Sequence, residues 1–410
     1  MTSIQPRDAA LEQTAASPPA APHSPGLIQT RIAALDGVRG FAILLIIGFH
    51  YYVIDGQFTK GSIAGYASSL LRLSWTGIDF FFVLSGFLIG GILLEAQDSP
   101  SYYQAFYIRR ACRILPLYLV IVTLHVLTKS HLPQLGEPVP AYVYTTLTQN
   151  IWVAVGGKLT SFWLLVTWTI ATEEQFYLIA PAMIRKLSKS RLPLVVALSV
   201  VFALLLRIVL FAASGLDPRS TLVLMPARAD AFMLGIGAAW LVRDERGARW
   251  LVAHRRSLYL LALSLGLVLL VFTKEDWSLD TWPMSTIGFT VTSFFYSAIV
   301  LLAVSDREGP IGRFFNLRPL IASGTIAYGL YLFHEPVKDL LYLSIDGPKT
   351  PHLASWRDAG LYLIAFGITA VIARLSWTCF ERPFVRLGHR VPYRPAEAIP
   401  EYVTPEIVGE

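Results

Sequence analysis

The sequence predicts an all-α fold, a polytopic membrane bundle of about ten transmembrane helices, on three observations. The 410 residues are 54% hydrophobic and only 15% charged, with a mean hydropathy of +0.53; a soluble domain carries about 25% charged residues. Ten apolar runs are long enough to cross hydrocarbon, which takes about 20 residues each. The basic residues collect in alternate loops, as they do in membrane proteins. A soluble enzyme is excluded. The net charge of +6 calls for no nucleic acid, because cytoplasmic loops are rich in Lys and Arg in any case.

The runs fall near 32–54, 74–94, 112–128, 162–184, 192–213, 226–242, 257–273, 284–304, 319–343 and 359–380. A shorter stretch, 141–155, carries Gln149 and Asn150 and reads as interfacial or re-entrant. Residues 1–30 are rich in Ala, Pro, Ser and Thr and have no apolar h-region, so they read as a disordered cytoplasmic tail. Residues 31–390 form the transmembrane domain, and 391–410 a second cytoplasmic tail. One set of loops holds Arg109, Arg110 and Arg113, the segment "RKLSKSR", the arginines of 243–256 and 307–318, and Arg382, Arg386, Arg390 and Arg394. This set contains most of the Lys and Arg, which puts both termini in the cytoplasm and the chain in the plasma (inner) membrane. Cys112 and Cys379 fall on that inner side without metal or redox spacing, and no disulfide is expected.

The spans carry ionisable residues, which hydrocarbon accepts only at a cost and usually for a function. In "LDGVRGFAILLIIGFH", Arg39 and His50 are eleven residues apart and share a helix face, with a depth difference of about 16 Å. Asp36 falls near that face and is open to simple pairing with Arg39. Other spans bring Asp79 and Ser85; Glu173, Glu174 and Gln175; Arg228 and Asp230; and His334 and Glu335. Arg110 and Arg113, three apart, can share a helix face.

"LDGVRGFAILLIIGFH", "GIDFFFVLSGFLI", "FYIRRACRILPLY", "WTIATEEQFYLIAP", "RADAFMLG", "AYGLYLFHEPV" and "ERP" occur in the order seen in the acyltransferase-3 family of membrane O-acyltransferases. The chain resembles that family over about residues 32–390. The resemblance implies a ten-helix bundle that moves an acyl group, often acetyl from acetyl-CoA, to a hydroxyl of a glycan, a lipid-linked sugar or a macrolide-like natural product, with membrane lipids around it and no permanently bound cofactor. It carries the family's first-span pair to Arg39 and His50, the inner arginine pair to Arg110 and Arg113, the acid motif to Glu173, Glu174 and Gln175, and the later histidine to His334. Two positions depart from the pattern: Ala171-Thr172, and Phe333 where Trp is frequent. Neither removes an ionisable group.

Each residue has a plainer reading. His50 is either a core histidine satisfied by a carbonyl or a general base that takes a proton from an attacking alcohol; its depth and its alignment with Arg39 favour the base. Arg39, Arg110 and Arg113 are expected to hold the acyl-CoA donor, since guanidinium forks suit phosphate and carbonyl oxygens; ordinary positive-inside residues are the alternative. Of Glu173 and Glu174, one is expected to reach the cavity and orient an imidazole, the other to pair with an arginine such as Arg207. His334 supports catalysis or packs. Ser85 is expected to be a small packing residue, and Trp75, Trp163, Trp277 and Trp282 interfacial anchors. The eight histidines show no paired ligand spacing, so no metal is expected. The rival class is a transporter of a glycan or acidic solute, but no inverted repeat or pair of broken helices speaks for it.

Overall fold

The computed structural model describes residues 32–58, 62–128, 139–156, 162–213, 219–274, 281–347, 349 and 351–394. The tail at 1–30, the part of the second tail beyond 394, Lys60, Lys129, Lys158 and Trp277 lie outside the described residues. The described residues are helical throughout apart from turns and one isolated bridge between Gly56 and Leu353.

Among the described residues, ten helices reach fifteen residues or more: α1 (Ala33–Gly48), α2 (Gly77–Glu95), α3 (Tyr102–Thr128), α4 (Trp168–Lys186), α5 (Leu192–Ala212), α6 (Ala229–Arg243), α7 (Arg255–Lys274), α8 (Phe289–Ser305), α9 (Ala327–Asp346) and α10 (Trp356–Leu375). Seven of them, with their helical extensions, are long and apolar enough to cross a membrane. The other three are α4, α6 and α9. α6 has only fifteen residues. α4 and α9 interrupt their apolar sequence with Glu173 and Glu174, and with His334, Glu335, Lys338 and Asp339. Of these charged groups, His334, Glu335 and Lys338 of α9 are buried, whereas Glu173 and Glu174 of α4 are half-buried. The segment 141–155 forms two short helices whose Gln149 and Asn150 are fully buried.

Burial separates the layers. The window of α2 is 72% buried and that of α8 67%, whereas α5 is only 11% buried and α7 22%. α2 is therefore central, and the outer helices turn Leu, Val and Phe outward, a surface suited to lipid rather than water. Without a hydrophobic drive inside lipid, helix contact depends on close packing of small residues. α2 and α6 show this: a Cβ on Gly86 would fall on the Phe232 carbonyl oxygen, and one on Gly235 on that of Val83. Gly235→Leu should push the two helices apart and cost about 1–3 kcal/mol, the usual cost of overpacking. A lowered thermal midpoint of the detergent-purified protein would record it; an unchanged midpoint would contradict the contact.

Two ion pairs are sealed in this core. Arg228, the residue just before α6, pairs with Asp79 of α2, and its guanidinium lies 3.9 Å from the Phe289 ring centroid. Arg207 pairs with Asp230 at 2.9 Å, and its Nε donates to the Thr286 carbonyl at 3.0 Å. All four residues are fully buried. Arg207 is thus the partner of Asp230 and not of an α4 glutamate, which corrects the expectation above. Trp75 and Trp163 are buried at 4% and 5% exposure and are core residues rather than anchors, whereas Trp282, at 48%, faces outward.

Candidate active site

α1 ends its regular turns at Gly48 and continues as a π-helical stretch, Phe49–Ile54. Such stretches are rare and frequent at functional sites. The wider turn carries His50 toward α9. There His334 sits two residues before Pro336, which lacks the N–H that would bond the Leu332 carbonyl. Tyr51 Oη donates to the His334 carbonyl at 2.8 Å and ties the two segments together.

His50 Nδ1 lies 2.8 Å from His334 Nε2, and His334 Nδ1 lies 2.8 Å from the Tyr331 carbonyl oxygen. These contacts assign the tautomers of the neutral rings. A carbonyl oxygen only accepts, so His334 Nδ1 carries the proton and Nε2 presents a lone pair. His50 Nδ1 must then donate to it, which leaves the lone pair of His50 on Nε2. A histidine held in this way is poised as a base, oriented by a second ring that is itself anchored to backbone.

Glu335 flanks both rings: its Oε1 is 3.7 Å from His50 Nδ1 and 3.6 Å from His334 Nε2. Its Oε2 pairs with Lys338 Nζ at 2.9 Å, and Lys338 reaches Asp55 Oδ2 at 2.8 Å. Tyr362 Oη donates to that same Asp55 oxygen at 2.8 Å. The dyad thus stands at one end of a buried charged chain. Glu335 and Lys338 are site residues that the sequence reading left unassigned. Lys338 is 3% exposed. The signal lay in the spacing, since Lys338 follows His334 by four residues and Glu335 by three, on one side of the helix.

The glutamates of α4 do something else. Ser85 Oγ donates to Glu173 Oε1 at 2.8 Å, and Tyr177 Oη lies 3.2 Å from Ser85 Oγ. Glu173 lines a chamber of about 120 Å³ together with Arg39, Arg110, Arg113, Ser85, Tyr177 and Tyr331. Glu174 is absent from that lining, and its Oε1 has no hydrogen-bond partner. One acid of the pair therefore reaches the cavity, but it faces the arginines, and the acid beside the imidazoles is Glu335. Ser85 is a hydrogen-bond donor to that acid rather than a mere packing residue.

The same Arg39, Arg110 and Arg113 also line a second cavity of about 630 Å³, with Asp36, Glu95, Arg109, Trp377, His389 and Tyr393 among its walls. Arg39 Nη1 holds Asp36 Oδ1 at 2.9 Å. The Arg109 guanidinium stands 4.7 Å from the Tyr393 ring centroid, and that of Arg110 5.4 Å from Tyr177. The two cavities share these three arginines and Leu88. A wide basic vestibule thus narrows into a chamber bounded by Ile46, one turn before His50, and by Tyr331, whose carbonyl holds His334. All seven residues singled out by sequence lie in this region. Arg39, Arg110, Arg113 and Glu173 share the cavities, His50 and His334 meet beyond them, and Glu174 stands aside.

A family model described as an acyltransferase domain matches residues 32–377. Among curated proteins, the chain is 28% identical to YrhL of Bacillus subtilis over 88% of its length and 56% of that protein's. It is 26% identical to the peptidoglycan O-acetyltransferase OatA of Listeria monocytogenes, over 87% of this chain and 56% of that one. The O-acetyltransferase OatA of Staphylococcus aureus matches at 26% identity over 88% and 58%. The chain thus spans little more than half the length of these relatives. No solved structure matches it. With a family match over most of the described residues, and with the motifs of that match lining one vestibule, one chamber and one histidine pair, the chain belongs to the acyltransferase-3 family.

Proposed function

We propose that this protein is an integral membrane O-acyltransferase. It transfers an acyl group, acetyl in the first instance, from cytoplasmic acyl-CoA to a hydroxyl of a glycan, a lipid-linked sugar or a small natural product. The observation that carries the reading is the His50–His334 dyad standing just beyond a basic vestibule and its narrow chamber. The relatives named for peptidoglycan O-acetylation favour a glycan among the acceptors. All ten long helices cross the plasma membrane in this reading, and both termini face the cytoplasm, where CoA is made. The basic vestibule then opens toward the donor.

Arg39, Arg110 and Arg113 hold the donor's phosphates by charge-assisted hydrogen bonds, and the thioester arm enters the chamber. His50 Nε2 takes the proton of the acceptor hydroxyl as its oxygen attacks the thioester carbon. His334 and Glu335 stabilise the imidazolium that forms, in the way a buried carboxylate supports a catalytic histidine. The tetrahedral intermediate collapses with release of the CoA thiolate, and the imidazolium returns its proton to that sulfur. Atoms and charge balance without any resident cofactor. Glu173, held by Ser85 and Tyr177, balances the arginine cluster.

The vestibule arginines supply the direct test. Arg110→Ala combined with Arg113→Ala should raise the KM for acyl-CoA far more than that for acceptor, because the lost phosphate contacts serve ground and transition states alike. An unchanged donor KM in the folded double variant would return both residues to the ordinary positive-inside role.

A further inference from the structure

We propose that His50 Nδ1, His334 Nε2 and Glu335 Oε1 form a binding site for a divalent cation of the zinc type. The three atoms are separated by 2.8, 3.6 and 3.7 Å. The circle through them has a radius of about 2.0 Å, which is the bond length that Zn²⁺ makes to imidazole nitrogen and carboxylate oxygen. These donor atoms form a group that could hold a metal ion, and they come from two helices 284 residues apart in sequence. Ligand spacing along the chain therefore did not reveal them.

Three further features fit a metal. Glu335 is 3% exposed, and its Oε1 has no hydrogen-bond partner. A buried carboxylate oxygen left in that state is costly, and it is aimed at the two ring nitrogens. His334 already donates its other ring nitrogen to a backbone carbonyl, the usual outer contact of a metal-ligating histidine. Glu335 Oε2 is likewise held by Lys338. Lys338 adds a positive charge nearby, but Glu335, Asp55 and Asp339 all lie within 4.0 Å of its Nζ. The local carboxylates outnumber it and leave the cluster attractive to a cation. Two histidines and one glutamate with a free fourth position is a known zinc ligand set. The site is reachable, since the His50 side chain keeps 15% of its exposure.

Binding has a chemical consequence. The metal takes the lone pair of His50 Nδ1, so the proton on that atom moves to Nε2 and the neutral ring loses no proton. Nε2 then carries N–H and cannot accept one from an alcohol. The cation and the base form of His50 exclude each other, and the metal acts as an inhibitor. This inhibition rests on the function proposed above; the binding does not.

The test uses the full chain in lipid nanodiscs, purified without a histidine tag and stripped with a chelator. CoCl₂ is added as a spectroscopic probe and ZnCl₂ as a competitor. The expected result is one Co²⁺ per chain, with the intense visible absorption of a four-coordinate nitrogen–oxygen site, displaced by Zn²⁺. The signal should disappear in Glu335→Gln and in His334→Ala and persist in His254→Ala, whose ring is exposed and stacked on Trp250. Zn²⁺ should stop acyl transfer at the same stoichiometry, and chelator should restore it. Failure of the wild-type chain to bind stoichiometrically, or binding that survives Glu335→Gln and His334→Ala alike, overturns the site and leaves the acyltransferase reading intact. Binding without inhibition upholds the site and removes His50 from the role of base.

Discussion

His50→Gln should fold, retain acyl-CoA and lose about 10²–10⁴-fold in kcat, the usual contribution of a positioned general base. Glutamine fills the same space and can still hydrogen-bond to His334, but it has no lone pair basic enough to take a proton from an alcohol. His50→Ala should lose as much. The KM for acyl-CoA should move little in either variant if, as proposed, the donor's phosphates bind at Arg39, Arg110 and Arg113, which line the vestibule rather than the dyad. Wild-type activity should fall on acidification, since a protonated His50 has no lone pair on Nε2 to offer. If His50→Gln keeps most of the activity, His50 is a structural donor. The base would then have to be sought elsewhere, His334 first, although its Nδ1 is committed to the Tyr331 carbonyl.

The second large effect is on stability. Arg207→Leu should leave Asp230 buried without its counter-charge and cost about 3–5 kcal/mol, as breaking one side of a buried pair does. Arg207 is fully buried and bonds Asp230, Thr290 and the carbonyls of Ala227 and Thr286, so its removal strips partners from three segments. The double variant Arg207→Leu with Asp230→Leu should recover much of the loss, because two apolar side chains need no partner. Thermal unfolding in a fixed detergent reads both. Equal midpoints for the single and double variants would show that the pair's charge is not what the core depends on.

The sequence disclosed the helices and the chemistry more readily than the pairings. Apolar runs located the long helices, seven of which are long and apolar enough to cross a membrane, because such helices satisfy their own backbone hydrogen bonds and show themselves by length and composition. His50 and His334 were legible as ionisable groups within apolar runs and as motif positions, but their contact was not. Arg39, Arg110 and Arg113 were legible from the motifs and from the three-residue spacing of the pair. What depth does not encode is rotation about the helix axis. Glu173 and Glu335 sit on different helices, and only the packed bundle turns Glu173 toward Ser85 and the arginines and Glu335 toward the rings. The π-helical stretch at Phe49–Ile54 shifts the face on which His50 emerges, and a projection with 3.6 residues per turn does not include that shift. Trp75 and Trp163 were misplaced for a related reason. Tryptophan near a span end favours the interface on average, but here both rings are buried in the bundle. Ser85 was under-read because a small residue in a membrane helix is so often there for packing.

In the proposed function, one chain takes an acyl group from CoA and gives it to a hydroxyl through the His50–His334 dyad. Its most direct test is the purified protein in proteoliposomes, supplied with acetyl-CoA radiolabelled in the acetyl group and with a glycan acceptor. Free CoA should be released only when acceptor is present, with label recovered in alkali-labile ester linkage on the glycan, and neither product should form with His50→Gln. Label carried across the membrane on an unaltered solute, with no CoA released, would contradict it and identify the protein as a transporter.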